Sequence, residues 1–422
     1  MKRIISAILV LMLAMGLCAC DKIGSVELPP LPTVTPEPTP TPEPTETPAA
    51  EPAGGRVIVS VSRTEQDAYD PQDGTQRILS FSDETPTVEM TDNKEAEKAI
   101  NEYIAMLNET YYTGEDYGDG QGTGYNNMLT MAEDNYNYWV NSGAEGAKLE
   151  LASDRSVTVE RADGGVITLF YNDYVDMGGA HGSYGNTAYC FDTRTGALLT
   201  LDTLSDDADA LRAFLSDYLV RTYEEDTSIQ ERTDGFIPDG DYWTALTALL
   251  REGSWYLDHE GMVIFSDLYE ISSYAAGPIR FTVPYDELAG HVDAKYIPED
   301  FTCEGGFSVV SAADMTEGSI EIIDKLTVSA DGQELYFIAD GTVCEVSVSS
   351  VDYADTFYET AQLWYCSEMT DSALQLVTLI PEGMPNLMLR YYTAGGEHRL
   401  YLTESGENGR LILSDDNIEA VG

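Results

Sequence analysis

The sequence predicts an α+β domain followed by an all-β sandwich or small barrel. Two patterns carry this expectation. Up to about residue 300, strand-like and helix-like segments are grouped without strict alternation, which argues against a doubly wound parallel sheet. From residue 301 onward the apolar positions alternate in short runs separated by turn residues, with no helical period. Hydrophobic residues make up 43% of the chain, enough to fill a core in each part.

Lys2 and Arg3 precede an apolar run at 4–17, too short and too near the terminus for a stable membrane span and ordered like a secretory signal. The run ends in Leu17-Cys18-Ala19-Cys20, a small residue before cysteine, which is the pattern of a bacterial lipoprotein signal. Residues 1–19 are therefore read as the signal peptide and Cys20 as a lipidated N-terminus whose acyl chains sit in the bilayer. An ordinary signal peptide or an uncleaved anchor is the alternative. Residues 20–55 turn to Pro, Thr, Glu and Ala and have no apolar face to bury, so they read as an extended spacer, about 3 Å per residue where polyproline. A proline-rich recognition ligand is the other reading.

In the first folded part, residues 56–300, alternation predicts strands at 57–62 and 77–81. Asp92 and Glu95 have capping-box spacing, and Ala96, Ile100, Tyr103, Ile104 and Leu107 repeat at helical period behind them. A Gly-rich loop at 112–124 leads to a second helix at 126–140. Strands at 147–152, 156–161 and 166–171 follow in meander order, with a hairpin turn at Asp163-Gly164-Gly165. Next come strands at 186–192 and 197–201, a helix capped by Ser205, a helix at 242–251, a hairpin at 255–258 and 262–265, a strand at 279–283 and a short helix at 285–291. The second part, 301–422, predicts strands at 320–328, 334–338, 342–348, 362–365, 374–379, 387–392, 398–403 and 410–413. Its role is open.

Seventy-four acidic against 22 basic residues give a formal charge of −52, spread along the whole chain. Nucleic acid and anionic membrane surfaces are therefore poor partners and no nucleic acid is expected, whereas cationic proteins, peptides or divalent ions are attracted; solubility alone also accounts for such a surface. Beyond Cys18 and Cys20, the cysteines are Cys190, Cys303, Cys344 and Cys366, without metal or redox spacing. One bridge in the C-terminal part or buried free thiols both fit, and no pairing follows from the sequence.

The stretch that organises the first part is 173–183, in which Gly178-Gly179-Ala180-His181-Gly182-Ser183 follows an apolar strand. Glycines there point to positive φ or to a close backbone approach. It is answered by 271–278 and by 281–288. Gly178 to Gly182, the run from Phe191-Asp192-Thr193-Arg194-Thr195-Gly196 to Leu204, and Tyr274-Ala275-Ala276-Gly277 leading to Pro284-Tyr285 and Glu287-Leu288 together resemble a family of extracytoplasmic domains. That family occurs in the ectodomain of the lysozyme-sensing sigma-V anti-sigma factor and ahead of the catalytic domain of a peptidoglycan deacetylase. The resemblance spans 56–293, about half of the chain. It implies a non-catalytic binding or sensor domain and, as one specific ligand, a basic lysozyme-like cell-wall hydrolase. No cytoplasmic segment or transmembrane helix precedes the domain as in the sensor protein, so direct signalling to a sigma factor is not expected.

Other chemistries fare poorly. The four histidines, His181, His259, His291 and His398, form no zinc-binding spacing, and the deacetylase motif of Thr-Phe-Asp-Asp-Gly with metal-binding histidines is missing. Glu115, Asp116 and Asp119 lack an EF-hand pattern and read as a solvated loop. Ser183 follows His181 without a nucleophile elbow. No catalytic residue, cofactor or metal is therefore expected. Ligand-binding candidates are His181, Gly179, Ser183, Tyr274 and Tyr285. His181 either binds a ligand through an exposed ring or holds its loop through a backbone carbonyl, and Tyr274 and Tyr285 either anchor a ligand or pack the core. The expected protein is a lipid-anchored, extracytoplasmic binding protein. Binding or processing of peptidoglycan and a purely structural envelope role are the competing readings.

Overall fold

The computed structural model describes residues 55–414 except 73, 114–123, 143–149, 180, 234, 238–240, 316–319, 355, 381–384 and 405–410. The signal peptide, Cys20, nearly all of the spacer and the acidic loop with Glu115, Asp116 and Asp119 lie outside the described residues.

Strands β1 (Val57–Tyr69) and β2 (Arg77–Met90) form an antiparallel hairpin longer than the apolar alternation shows. Its polar end is held by charge: Arg63 faces Glu84 across the ladder at 3.1 Å and reaches Asp154 at 2.6 Å. Helix α1 (Lys94–Thr113) buries Ala96, Ile100 and Ile104 at helical spacing. Its cap is Asn93, whose Oδ1 accepts from Ala96 N at 3.1 Å, one residue after the expected Asp92. Helix α2 (Tyr125–Ser142) follows. Strand β3 (Leu151–Ala162) is one strand where two were expected, and it starts parallel to β2, Leu79 opposite Leu151, so the meander reading is corrected. The β3 turn at Asp163, whose Oδ1 accepts from Gly165 N and Val166 N, leads to β4 (Val166–Asp176) and β5 (Ser183–Asp192).

Residues 197–201 make a single bridge, Phe191 to Leu198, in place of the expected strand. Helix α3 (Ala208–Glu225) is capped by Asp207, not Ser205, because Asp207 Oδ1 reaches Ala210 N at 3.0 Å. Helices α4 (Thr227–Arg232) and α5 (Tyr242–Thr247) precede a three-stranded antiparallel sheet, β6 (Trp255–Leu257), β7 (Gly261–Phe265) and β8 (Arg280–Pro284), and helix α6 (Tyr285–Leu288). The remaining strands are β9 (Gly306–Ser311), β10 (Glu321–Thr327), β11 (Gln333–Asp340), β12 (Thr342–Ala354), β13 (Thr356–Thr370), β14 (Ser372–Thr378), β15 (Leu387–Thr393), β16 (Gly396–Glu404) and β17 (Leu411–Ser414). The half-exposed β9 gave no alternating signal.

One mixed ten-stranded sheet orders these as β17-β16-β15-β12-β13-β1-β2-β3-β4-β5. The expected boundary at residue 300 falls in the connector between α6 and β9, and the sheet runs across both parts through β1 and β13. One face carries α1 over Val57, Val59, Val159, Leu169 and Tyr365. The other face is covered twice. At the β4–β5 end, Val166, Phe170, Ala188 and Cys190 meet the α3–α5 helices and the three-stranded sheet. At the β12–β15 end, Val346, Val348, Trp364 and Leu389 meet Leu335, Phe337, Leu374 and Leu376 of a four-stranded sheet ordered β10-β14-β11-β9. The fold is thus mixed α+β with a sandwich at its C-terminal end, and no closed barrel occurs among the described residues. No helix among them is long and apolar enough to cross a membrane.

The β2–β3 ladder ends at Arg155, and buried side chains take over the backbone donors beyond it. Val157 N donates to Glu84 Oε2 at 3.0 Å, and Val159 N donates to Gln362 Oε1 at 2.7 Å, joining β3 to β13. Gln362→Leu keeps the bulk but leaves the Val159 N–H buried without an acceptor. It is expected to lower unfolding free energy by about 1–3 kcal/mol, measured by urea denaturation followed through tryptophan fluorescence; an unchanged midpoint would show that the bridge contributes nothing net.

Candidate functional site

The glycine-rich stretch is the β4–β5 loop, closed by Val175 opposite Ser183. Gly178 turns it with φ 76°, its N–H donating to Asp176 Oδ1 at 2.8 Å. Gly182 is a close approach: a Cβ there would stand 2.3 Å from the Tyr174 ring. Gly179 is exposed and unconstrained by its surroundings. The loop presents His181, whose exposed ring does two jobs at once. Nδ1–H donates to Gly182 O at 2.8 Å, which leaves Nε2 to accept from the Tyr269 hydroxyl at 3.2 Å.

The second half of the surface comes from 267–277. Tyr274 opens a 3₁₀ turn, Tyr274–Ala276, capped by Ser273 Oγ. Arg232 donates to Ala276 O and Pro278 O, both at 2.8 Å, and so ties the turn to α4. Tyr269 has φ 63°, a left-handed conformation rare for a bulky residue. Asp267 and Glu270 on either side of it are both gripped by Arg251, and Asp267 Oδ1 accepts from Asn186 N of β5 at 3.0 Å. The Asp267 side chain therefore fixes the second segment to the backbone of β5.

The result is a contiguous row of surface rings. Tyr174 lies 5.1 Å from Tyr184, Tyr184 6.4 Å from Tyr274, and Tyr274 4.0 Å from His181. Tyr269 follows at 6.1 Å from Tyr274, and Phe236 at 6.4 Å from Tyr269. Tyr184, Tyr269 and Phe236 keep 41%, 43% and 37% of their area in solvent, so the row is open rather than core. Sequence reasoning named His181 and Tyr274 but missed Tyr174, Tyr184, Tyr269 and Phe236. Tyr174 and Tyr184 bracket the glycine loop, which was the available signal; Phe236 is placed only by the fold.

Of the other candidates, Ser183 is exposed at the start of β5. Both ring nitrogens of His181 are engaged elsewhere, so the imidazole does not serve Ser183 as a base. Tyr285 is remote from the row. Its hydroxyl accepts from Arg161 Nη1 and donates to Asp258 O, each at 2.7 Å, and the fully buried Arg161 also pairs with Asp163 at 2.6 Å. That is a structural network. No three His, Cys, Asp or Glu side chains among the described residues converge as a metal site.

On the face of the sheet opposite Tyr174 and Tyr184, against α1, lies a charged layer. Arg155 Nε donates to Asp83 Oδ1 at 2.7 Å and stacks 3.9 Å over the Tyr111 ring. Asp173 sits beside it with a buried Oδ1 that has no hydrogen-bond partner. Burial pushes this carboxyl up to about 6; Arg155 pulls it back only in part, and Asp83, Asp267 and Asp154 add to the rise.

Residues 202–286 match the family described as "Protein of unknown function (DUF3298)", so the chain carries a DUF3298 domain. Tyr269 and Tyr274 fall inside that match and His181 before it, so the ring row is built across its edge. Among solved structures, a DUF3298 family member from Bacteroides fragilis is 19% identical, with 58% of this chain and 96% of that chain covered and a TM-score of 0.43. A DUF3298 family protein from Pseudomonas aeruginosa is 16% identical, with 57% and 97% covered and a TM-score of 0.36. No curated protein matches the sequence.

A carboxyl that holds its proton more tightly in the folded state takes stability away as pH rises from its unfolded value, near 4, through about 6. Asp173→Asn removes the charge at constant size. Its stability relative to the parent is expected to grow over that window and level off at a gain of about 1–3 kcal/mol at neutral pH, read from urea midpoints across pH. An equal gain on both sides of the window would assign the effect to something other than the charge.

Proposed function

We propose that this protein is a lipoprotein, anchored through acylated Cys20 on the extracytoplasmic face of a membrane, that binds its ligand through the ring row around His181 without chemistry of its own. The observation that carries the reading is the row itself. Aromatic side chains held open by Arg232, Arg251 and Gly182 lose little conformational freedom on binding, which is how anchor residues of recognition surfaces work. The favoured ligand is a basic protein of the lysozyme-like cell-wall hydrolase class. A formal charge of −52 draws such a partner in, and rigid tyrosines supply contact area once it arrives. A second reading, binding of peptidoglycan glycan, is favoured by the same flat rings, on which the apolar faces of sugars stack.

The test is calorimetric titration of lysozyme into the whole protein in detergent, at low salt and again at several hundred millimolar salt. Affinity that survives salt, and that falls at least about tenfold in Tyr274→Ala, is the expected result. Affinity lost in salt and indifferent to Tyr274 would mean that charge alone attracted the enzyme. Retention on purified peptidoglycan that depends on Tyr274, without lysozyme binding, would move the assignment to the glycan.

A further inference from the structure

The four cysteines among the described residues carry no bond to one another, yet two of them meet. Cys303 lies on the connector that enters the sandwich, and Cys344 lies on β12, opposite Tyr392 of β15. Their sulfurs stand 2.9 Å apart, inside the contact distance of about 3.5–4.0 Å for unbonded heavy atoms. The connector is fixed at this point from two directions: Cys303 O accepts from Ala394 N at 2.9 Å, and the neighbouring Phe301 ring stacks on Tyr392 with centroids 5.3 Å apart. The other two thiols are committed elsewhere. Cys190 packs against Thr168 Oγ1 at 3.3 Å, and Cys366 turns its thiol to Glu368 O at 3.1 Å.

We propose that Cys303 and Cys344 form a disulfide that fastens the connector to the sandwich, made by exchange with a low-molecular-weight or protein disulfide. One thiol loses its proton and attacks the oxidant's disulfide, releasing one thiolate and leaving a mixed disulfide. The second cysteine thiolate then displaces the other half. Two thiols and one disulfide become one disulfide and two thiols, with both electrons and both protons passing to the oxidant. The bond closes a loop through β9, β10 and β11, three of the four strands of the four-stranded sheet. It also lies next to Glu345, whose carboxylate is 2.9 Å from His259 Nε2 on the β6–β7 turn. The clamp therefore sits where the three-stranded sheet touches β12. Burial pushes the Cys344 thiol up, so exchange is expected to be faster at mildly alkaline pH.

The experiment uses the whole protein in detergent, incubated with oxidised glutathione, alkylated, cleaved after acidic residues so that Cys344 and Cys366 part, and mapped by mass without reduction. The expected result is one peptide pair joining Cys303 to Cys344, lighter by two hydrogens and separated by reductant, with Cys190 and Cys366 alkylated after denaturation. Oxidised protein is expected to melt about 5 °C above reduced protein, a difference that Cys303→Ser removes. Full alkylation of both cysteines, or a bond from either one to another cysteine, overturns the proposal. Equal melting temperatures of bonded and reduced protein overturn the clamp.

Discussion

Strand β1 has a partner on each edge and a core on each face, and the rest of the molecule depends on that position. It pairs with β2 over its whole length and with β13 at Ile58, Val59 and Ser60. Because side chains alternate along a strand, Val57 and Val59 go to the α1 core while Ile58 goes to the sandwich core. A slip of one residue would exchange them, so both cores fix the same register. The two ends of the sheet are thereby held in one frame, and the polar bridges from Glu84 and Gln362 to β3 complete it where ladder bonds stop.

That frame is what allows the binding surface to be built from distant segments. The glycine loop hangs from β4 and β5, and Tyr269 and Tyr274 arrive on the DUF3298 segment. They meet because Asp267 holds Asn186 and because the apolar face of β4 and β5, with Phe170 and Cys190, is buried under β7 and β8. A buried apolar contact sets the distance, and hydrogen bonds set the orientation. The unpartnered Asp173 oxygen lies on the other face of β4, toward α1, and the rings themselves are held in place by arginine clamps.

Much of this was legible in the sequence where periodicity was strong. Helix α1, the 255–265 hairpin and most strands after residue 320 follow from alternation or helical spacing, since those patterns record which face is buried. The far end of β1 was not legible, because charged pairs such as Arg63 with Glu84 hold it and leave no apolar alternation. Nor was the parallel start of β3, which depends on contact with β2 across more than sixty intervening residues. At the site, His181 and Tyr274 stood out by motif, and the structure brings them together. Tyr285 shared the motif but serves Arg161. Which of many tyrosines line one surface is a property of tertiary packing, as Phe236 shows.

The pairing of β1 with β13 also has a consequence in time. Val57 N donates to Ser367 Oγ, 310 residues further along the chain. At a synthesis rate of about 5–20 residues per second, β1 waits about 15–60 s for that partner. During the wait its apolar residues and one edge are open to other chains, the situation in which sheet proteins aggregate. The far half of the β1–β2 hairpin is acidic and carries charge into that interval, which keeps the unfinished chain apart from its neighbours.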